Sequence, residues 1–235
     1  MGSAARNTTR SAATRPRRQD DVIRRPGPYG TDTLGASRAG ADHLPESGGL
    51  PVATGRHQQP EIAAMTELLA LRGAAGISHP GGTLLAHLQR VHALLAQSGA
   101  RPAVQLGGLY HAFYGTNGFA TALGSRGRRD ELAAIIGEEA ERLVYFYASC
   151  DRRYSYPCLA ETAGPFKDRF TGTVLRPPLP LRRDFAELTA ANELDIAAVS
   201  PDFRAQTGPG LLRLFTSWKN LLSGPAWQSV QTTLL

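Results

Sequence analysis

The chain carries the run G-L-Y-H-A-F-Y-G-T at residues 108–116, and this run decides the predicted fold. Val104, Leu106 and Leu109 recur at helical spacing, and Pro102 is typical of a first helical turn. The glycines after Phe113 in the stretch Y-G-T-N-G break the helix. We therefore predict a helix from about residue 102 to about 114, which carries a histidine, at position 111, near its end.

A second histidine, His87, lies 24 positions before His111, in another predicted amphipathic helix. The apolar stripe of that helix is formed by Leu84, Leu88, Val91 and Leu95. His87 falls on the same face, so it is expected to point into the core. Two inward-facing histidines on adjacent antiparallel helices can bind one metal ion, because imidazole suits Zn, Fe, Ni or Cu. The alternative is a pair of core histidines that only form hydrogen bonds.

Composition limits the class of protein. The chain has 235 residues, 42% of them hydrophobic and 20% charged, which fits a soluble globular protein. The formal net charge is +6, but most of the excess lies in the first 60 residues, so no nucleic-acid-binding face is expected on the folded part. Cys150 and Cys158 are too few for a disulfide framework. No membrane span or signal peptide is recognisable, so a cytoplasmic protein is expected.

Two regions are predicted along the chain. Residues 1–60 are rich in Arg, Gly and Pro and lack periodicity, which predicts a disordered tail. Residues 61–235 are predicted to form one all-α domain. Met65, the only methionine besides Met1, leaves open the alternative that translation starts at the domain.

Helical periodicity predicts six helices and no strand pair. They run over about 60–71, 83–98, 102–114, 128–148, 184–199 and 210–222. Residues 150–182 are rich in Pro, Gly and aromatic residues, which predicts a long loop, and a loop of this length is often functional. Glu141 falls on the polar side of the fourth predicted helix, so it is expected at the surface.

Several segments resemble the HD domain of metal-dependent hydrolases. The segment H-L-Q-R-V-H-A-L-L-A-Q-S-G from His87, followed by G-L-Y-H at 108–111, is most similar to the hydrolase domain of bacterial stringent-response (p)ppGpp synthetase/hydrolases. Residues 128–147 resemble an amphipathic helix of that family, and L-T-A-A-N-E-L at 188–194 resembles its Leu-Ala-Asp-Arg-Leu motif. A set of actinobacterial proteins shares the shape G-L-[FY]-H-x-x-Y-G-T. The resemblance implies an all-α, HD-like helical bundle.

The chain departs from that family at its carboxylates. The family binds metal through His, His-Asp and a later Asp, but Ala112 and Asn192 stand at the two aspartate positions. Gly115 and Thr116 replace an acidic pair that would be expected to activate water. The resemblance therefore implies a repurposed histidine site, and ordinary nucleotide pyrophosphohydrolase activity is not expected.

The candidate site follows from these positions. His79, His87, His111 and Asn192 are the candidate ligands of a divalent metal ion, which is Fe, Mn or Zn. Asp195, one helical turn after Asn192, is a candidate catalytic carboxylate. Tyr114, beside the helix end, is a candidate proton donor or substrate-binding residue.

These features predict a metal-dependent enzyme that acts on a small molecule, either as a hydrolase or as an oxygenase of the non-haem-iron type. The alternative is a catalytically degenerate HD-like module that binds a small ligand or a protein partner. Nucleic-acid binding through the basic tail is a third possibility, and it would depend strongly on salt.

Overall fold

The computed structural model describes residues 58–235, so residues 1–57 of the predicted tail lie outside the described residues. Residues 58–60, the last three of that tail, belong to the first helix. The described part is all-α, which confirms the predicted fold class. Its nine helices are α1 Gln58–Leu71, α2 Leu84–Gln97, α3 Pro102–Tyr110, α4 Arg129–Ile136, α5 Glu138–Ser149, α6 Arg152–Ser155, α7 Leu179–Val199, α8 Pro201–Ser217 and α9 Gly224–Leu234.

Two short antiparallel hairpins complete this part of the chain. Strand β1 (Ser78–His79) pairs with β2 (Gly82–Thr83), and β3 (Phe166–Lys167) pairs with β4 (Val174–Leu175). The first hairpin leads into α2, whose N-terminus is capped because the Thr83 hydroxyl accepts a hydrogen bond from the Ala86 amide at 3.2 Å. None of the helices from residue 58 onward has both the length and the apolar character needed to cross a membrane.

The fourth predicted helix is two helices in the structure. Gly137 has a φ of 85°, which ends α4, and α5 starts at the next residue. Residues that have a side chain rarely adopt this backbone conformation, so glycine is the residue that permits the break. The apolar spacing continues across Gly137, and this is why the sequence pattern predicted one uninterrupted helix.

The predicted loop over 150–182 is shorter than expected and contains structure. It includes α6, a 3₁₀ turn at Tyr156–Cys158 and the second hairpin. Helix α7 begins at Leu179 rather than near 184, and Pro180 lies in its first turn, a position that proline tolerates. The sixth predicted helix began after Pro209, but α8 runs through this proline and α9 follows as a separate helix.

The site lies where α2, α3, α5 and α7 pack together. Helices α2 and α7 are antiparallel: Arg90 on α2 binds Asp195 near the end of α7, whereas Arg101, just after α2, binds Asp184 near the start of α7. Gly108 lets α3 approach α2 closely, because a Cβ at this position would collide with Leu95. This close packing brings the helix end that carries His111 against the face that carries His87.

Candidate functional site

Three histidine rings lie together in the interior. The ring centroids of His87 and His111 are 5.2 Å apart, and the rings are nearly perpendicular at 83°. His79, on the β1 strand, stacks on His87 with centroids 4.0 Å apart and 26° between the planes. His87 is 0% exposed and His111 is 3% exposed, so the first two are core residues. The structure thus brings together the three histidines singled out from the sequence.

Both ring nitrogens of His87 have partners on α7. Nδ1 lies 2.6 Å from Oδ2 of Asp195, and Nε2 lies 3.0 Å from Oδ1 of Asn192. An ionised carboxylate only accepts hydrogen bonds, so the proton between His87 and Asp195 belongs to Nδ1. A neutral His87 then has its lone pair on Nε2, directed at Asn192.

Glu193 fixes which end of the Asn192 amide faces His87. The amide nitrogen of Asn192 donates to Oε1 of Glu193 at 3.1 Å, which leaves the amide oxygen toward the ring. The opposite amide orientation would set two oxygens against each other at Glu193. Two acceptor atoms, His87 Nε2 and Asn192 Oδ1, therefore face each other. A positive species between them, either a proton on Nε2 or a metal ion, resolves the mismatch.

Asp195 holds His87 from the edge opposite Asn192. Arg90 binds both oxygens of this carboxylate, through Nε at 2.7 Å and a terminal nitrogen at 2.9 Å. Burial acts to raise the pKa of Asp195, but the hydrogen bonds from His87 and Arg90 outweigh it and hold the pKa below its usual value. A carboxylate on the far ring nitrogen orients a metal-binding histidine in many proteins. Both oxygens of Asp195 accept hydrogen bonds from Arg90 or His87, and this position suits a residue that orients the His87 ring.

The polar contacts form one chain through the interior. On the far side of Glu193, a terminal nitrogen of Arg152 donates to Oε1 at 2.9 Å, and another donates to the Tyr147 hydroxyl at 3.3 Å. The chain therefore runs through Arg90, Asp195, His87, Asn192, Glu193 and Arg152. When His87 is neutral, the positive charges of the two arginines in this chain of contacts balance the negative charges of its two carboxylates. Sequence reasoning missed Glu193 and Arg152, because Arg152 lay in a predicted loop and Glu193 carried no motif of its own.

His111 presents a free ring nitrogen. Its Nδ1 donates to the carbonyl oxygen of Gly108 at 2.8 Å, so the lone pair of the neutral ring is on Nε2. Burial first, and then the neighbouring His87, lower the pKa of His111 to about 3. The ring is thus neutral at physiological pH, which is the form that binds metal ions.

His79 lies beside this arrangement. Its Nδ1 is buried and has no hydrogen-bond partner among the described residues, and burial followed by His87 lowers its pKa to about 4. A ring nitrogen binds a metal in the plane of the ring. Two nearly parallel rings 4.0 Å apart cannot both do so for one ion, so the stacking does not support the predicted ligand role of His79. His79 covers one face of His87, and the ring of Phe119 packs against His79 with the two centroids 5.8 Å apart.

The structure directs Tyr114 toward a second buried carboxylate. Its hydroxyl donates to Oε1 of Glu141 at 2.9 Å, and Arg129 binds both oxygens of Glu141 at 2.6 Å. Burial, and then this hydrogen bond, raise the pKa of Tyr114. The prediction that Glu141 lies at the surface is wrong: it is 4% exposed, because α5 is buried on more than one face and Tyr114 and Arg129 pack against this carboxylate.

The first residue that departs from the HD pattern, Ala112, lies in the core. Ala112, where the family has its first aspartate, is 1% exposed and belongs to an apolar cluster that includes Leu88 and Val144. Within residues 58–235, no three His, Cys, Asp or Glu side chains are grouped so that they could hold a metal ion. The donors that remain are two imidazoles and one amide oxygen, those of His87, His111 and Asn192.

Comparison with known proteins gives one match. A family model described as a domain of unknown function, DUF6817, matches residues 68–152. The matched segment contains His79, His87, His111 and Tyr114 but ends before α7, which supplies Asn192 and Asp195. No curated protein and no solved structure matches the chain.

Proposed function

We propose that this protein is a metal-dependent hydrolase of a small anionic molecule, with His87, His111 and Asn192 as the protein ligands of a divalent ion on an HD-like frame. One observation carries the proposal. The two acceptor atoms His87 Nε2 and Asn192 Oδ1 face each other at 3.0 Å, because Asp195 and Glu193 occupy the donors of both side chains.

The distances are close to those of a shared ion. Two donor atoms that each bind one tetrahedral ion at about 2.1 Å lie about 3.4 Å apart, so binding would separate His87 Nε2 and Asn192 Oδ1 slightly from the observed 3.0 Å. Two imidazoles on a tetrahedral ion have ring centroids about 5 Å apart, with the ion in both ring planes. The 5.2 Å between the centroids of His87 and His111 agrees with this value. These three groups leave a coordination position open, as catalytic sites do.

The donor types favour zinc among the predicted metals. Imidazole nitrogen suits Zn and Fe, whereas Mn prefers carboxylate and water oxygen. The iron sites of non-haem oxygenases use two histidines and one carboxylate, but the third donor here is an amide. The amide favours hydrolysis over oxygenation. When bound, a divalent ion supplies Lewis acidity and lowers the pKa of water.

The surrounding residues favour an anionic substrate. The carboxylates of Asp195 and Glu193 are each neutralised by an arginine, so the protein supplies no negative charge to balance a divalent ion. Burying an uncompensated charge is unfavourable, and an anionic substrate removes this cost. Neutral His79 adds no positive charge beside the ion, and its stacking on His87 keeps water from one face of the ring.

Elemental analysis and calorimetry of the full-length protein test the proposal. We expect about one Zn or Fe per chain, lost in the double variant His87→Ala/His111→Ala and retained in His92→Ala, which removes a histidine of the same helix outside the cluster. Because the double variant removes core side chains, Asn192→Asp provides a second measurement. It adds a carboxylate donor and should tighten metal binding. Protein that binds no metal under any of these conditions would overturn the proposal.

The second candidate is a degenerate HD-like module that binds a ligand or partner without catalysis. Its supporting observation is that both ring nitrogens of His87 have protein partners while His79 stacks on one face of the ring. In that case a proton, rather than a metal ion, lies between His87 and Asn192. Metal-free protein, with thermal stability unchanged by added zinc or chelator, would favour this candidate.

A further inference from the structure

We propose that the β3–β4 hairpin and the neighbouring turn that carries Arg126 form a docking surface for an extended acidic peptide of a protein partner. In this arrangement the carboxylates of the peptide bind Arg126 and Arg169, and the backbone of the peptide pairs with β4. The surface includes none of the residues around His87, so it does not depend on the metal proposal.

Two arginines share one aromatic ring at this surface. The guanidinium carbons of Arg126 and Arg169 lie 4.0 Å and 4.3 Å from the ring centroid of Phe170. Stacking of this kind orients a guanidinium group and leaves its N–H groups free to bind a carboxylate. Among the described residues, the exposed Arg126 side chain has no acceptor, and the Arg169 side chain has one, the carbonyl of Ala148 at 2.8 Å from Nε. Both groups therefore have N–H donors available to a ligand.

No carboxylate forms an ion pair with these two arginines within residues 58–235. The one acid of the hairpin, Asp168, is buried, and it accepts hydrogen bonds from two backbone amides and from the Tyr145 hydroxyl instead. The lysine of the hairpin, Lys167, is paired with Asp151 at 3.2 Å. Two positive charges thus accompany one buried negative charge, and the surface is net positive, which favours an anionic partner.

The pKa of Arg169 reflects this imbalance. Burial, and then the positive charge of Arg126, lower the pKa from its ordinary value, and Asp168 compensates only in part. Arg129 shows the opposite shift, because its hydrogen bond to Glu141 raises its pKa. A carboxylate beside Arg169 would supply the stabilisation that Arg129 already receives from Glu141.

Strand β4 gives this surface an open edge. Strand β3 is bound on both sides, by β4 and by the amide of Asp151, which donates to the carbonyl of Lys167 at 2.9 Å. Within the described part of the chain, β4 pairs with β3 alone, and its two residues, Val174 and Leu175, are 50% and 43% exposed. An open edge with exposed apolar side chains is a template to which an extended peptide can add as a further strand.

The spacing of the arginines fits such a peptide. Their guanidinium carbons are no more than about 8 Å apart, because both lie close to one ring centroid. Every second side chain of an extended strand points to the same side, at intervals of about 7 Å. Val174 pairs with Lys167, two residues before Arg169, so the open edge and the arginines lie within reach of one peptide. We therefore expect acidic residues at alternate positions of the bound segment.

Calorimetric titration of the full-length protein with an acetylated and amidated heptapeptide tests this surface. The peptide carries glutamate at its odd positions and valine at its even positions. We expect one peptide bound per chain, with an affinity that falls as salt is added. A peptide with glutamine in place of glutamate should bind at least about tenfold more weakly. A peptide with N-methyl groups on its three central residues keeps the charges but loses backbone donors, and should bind about fivefold more weakly.

Matched variants localise the binding, because the first 60 residues are also basic. Arg126→Gln removes an exposed guanidinium group, so the fold should be kept while peptide affinity falls about fivefold. Arg213→Gln removes the same charge from an exposed position of α8 and should leave the affinity unchanged. Val174→Asp places a negative charge on the open edge and should weaken binding at least about tenfold, whereas Leu71→Asp, at an exposed position of α1, should not.

Three results would refute the proposal: no peptide binding at millimolar concentration, equal losses in Arg126→Gln and Arg213→Gln, or equal binding of the glutamine peptide. Tripolyphosphate that binds as tightly as the peptide, with the same loss in Arg126→Gln, would show that the surface takes a phosphate chain instead. Unchanged affinity of the N-methylated peptide would also refute the proposal, because pairing with β4 would then contribute nothing. None of these results depends on metal content, so the metal-dependent hydrolase stands or falls separately.

Discussion

Two buried carboxylates in this protein are each bound by an arginine through both oxygens, but they differ in the other side chain that donates a hydrogen bond to them. Asp195 and Glu141 are 3% and 4% exposed, and an arginine binds both oxygens of each. Glu141 also accepts a hydrogen bond from Tyr114, which uses the one proton of that hydroxyl. Asp195 instead accepts a hydrogen bond from Nδ1 of His87. A proton or a cation is then still required between the other ring nitrogen, Nε2, and the amide oxygen of Asn192.

The difference is the reason that the proposed site lies at His87 and not at Glu141. The contacts among Tyr114, Glu141 and Arg129 need no added group. The cluster around His87 has two facing acceptors and needs a further positive species, which is either a proton or the proposed metal ion.

The largest expected effect is on the structural cluster. Glu141→Leu leaves the buried Tyr114 hydroxyl and Arg129 without their acceptor and should lower the free energy of unfolding by about 3 kcal/mol. Glu139→Leu removes an exposed acid whose pair with Arg101 lies at the surface, so its effect should stay below about 1 kcal/mol. Urea unfolding measures both, and similar losses in the two variants would contradict a stabilising role for Glu141.

The second expected effect is on metal affinity. Asp195→Asn removes the charge that orients His87 and should weaken metal binding about 10- to 100-fold. Glu141→Leu, at protein concentrations where it remains folded, should not change this affinity. Titration with zinc measures both variants, and an equal effect of the two changes would remove the distinction between the clusters.

A smaller effect is expected at the helix break between α4 and α5. Gly137→Ala places a Cβ on a residue with a φ of 85°, and no atom lies within 4 Å of that position. The cost is therefore one of backbone conformation, about 1–2 kcal/mol. Thermal unfolding measures it, with Gly127→Ala as a control at a glycine without positive φ. Equal stability of Gly137→Ala and the parent would show that the break does not depend on glycine.

The smallest expected effect concerns the orientation of Asn192. In Glu193→Gln the new amide can donate as well as accept, so the Asn192 amide is no longer held with its oxygen toward His87. Metal affinity should fall by less than about tenfold, since Glu193 acts one step further from the ion than Asp195. Amide-resolved NMR of Asn192 would report the change in orientation, and an unchanged affinity with a reoriented amide would exclude Asn192 as a ligand.

Much of the helical frame was predictable because its signals are local. The spacing of apolar residues predicted α1 and α2, and Pro102 predicted the start of α3. The burial of His87 was predicted from its position on the apolar face of α2. The prediction of a shared place for His79, His87 and His111 used the resemblance and the adjacency of the helices. The positions of Glu141, Glu193 and Arg152 were not predictable in this way, because each depends on a partner on another element.

The sequence by itself determined which faces of the helices are apolar and which polar groups they carry, since periodicity is a property of neighbouring residues. Only the tertiary structure decided the hydrogen-bond partners. The antiparallel packing of α2 and α7 set Asp195 and Asn192 on opposite edges of His87, and the packing of α3 against α5 placed Glu141 beside Tyr114. Hydrogen bonds depend on distances of tenths of an ångström between residues far apart in the chain, and spacing along the sequence does not encode these distances.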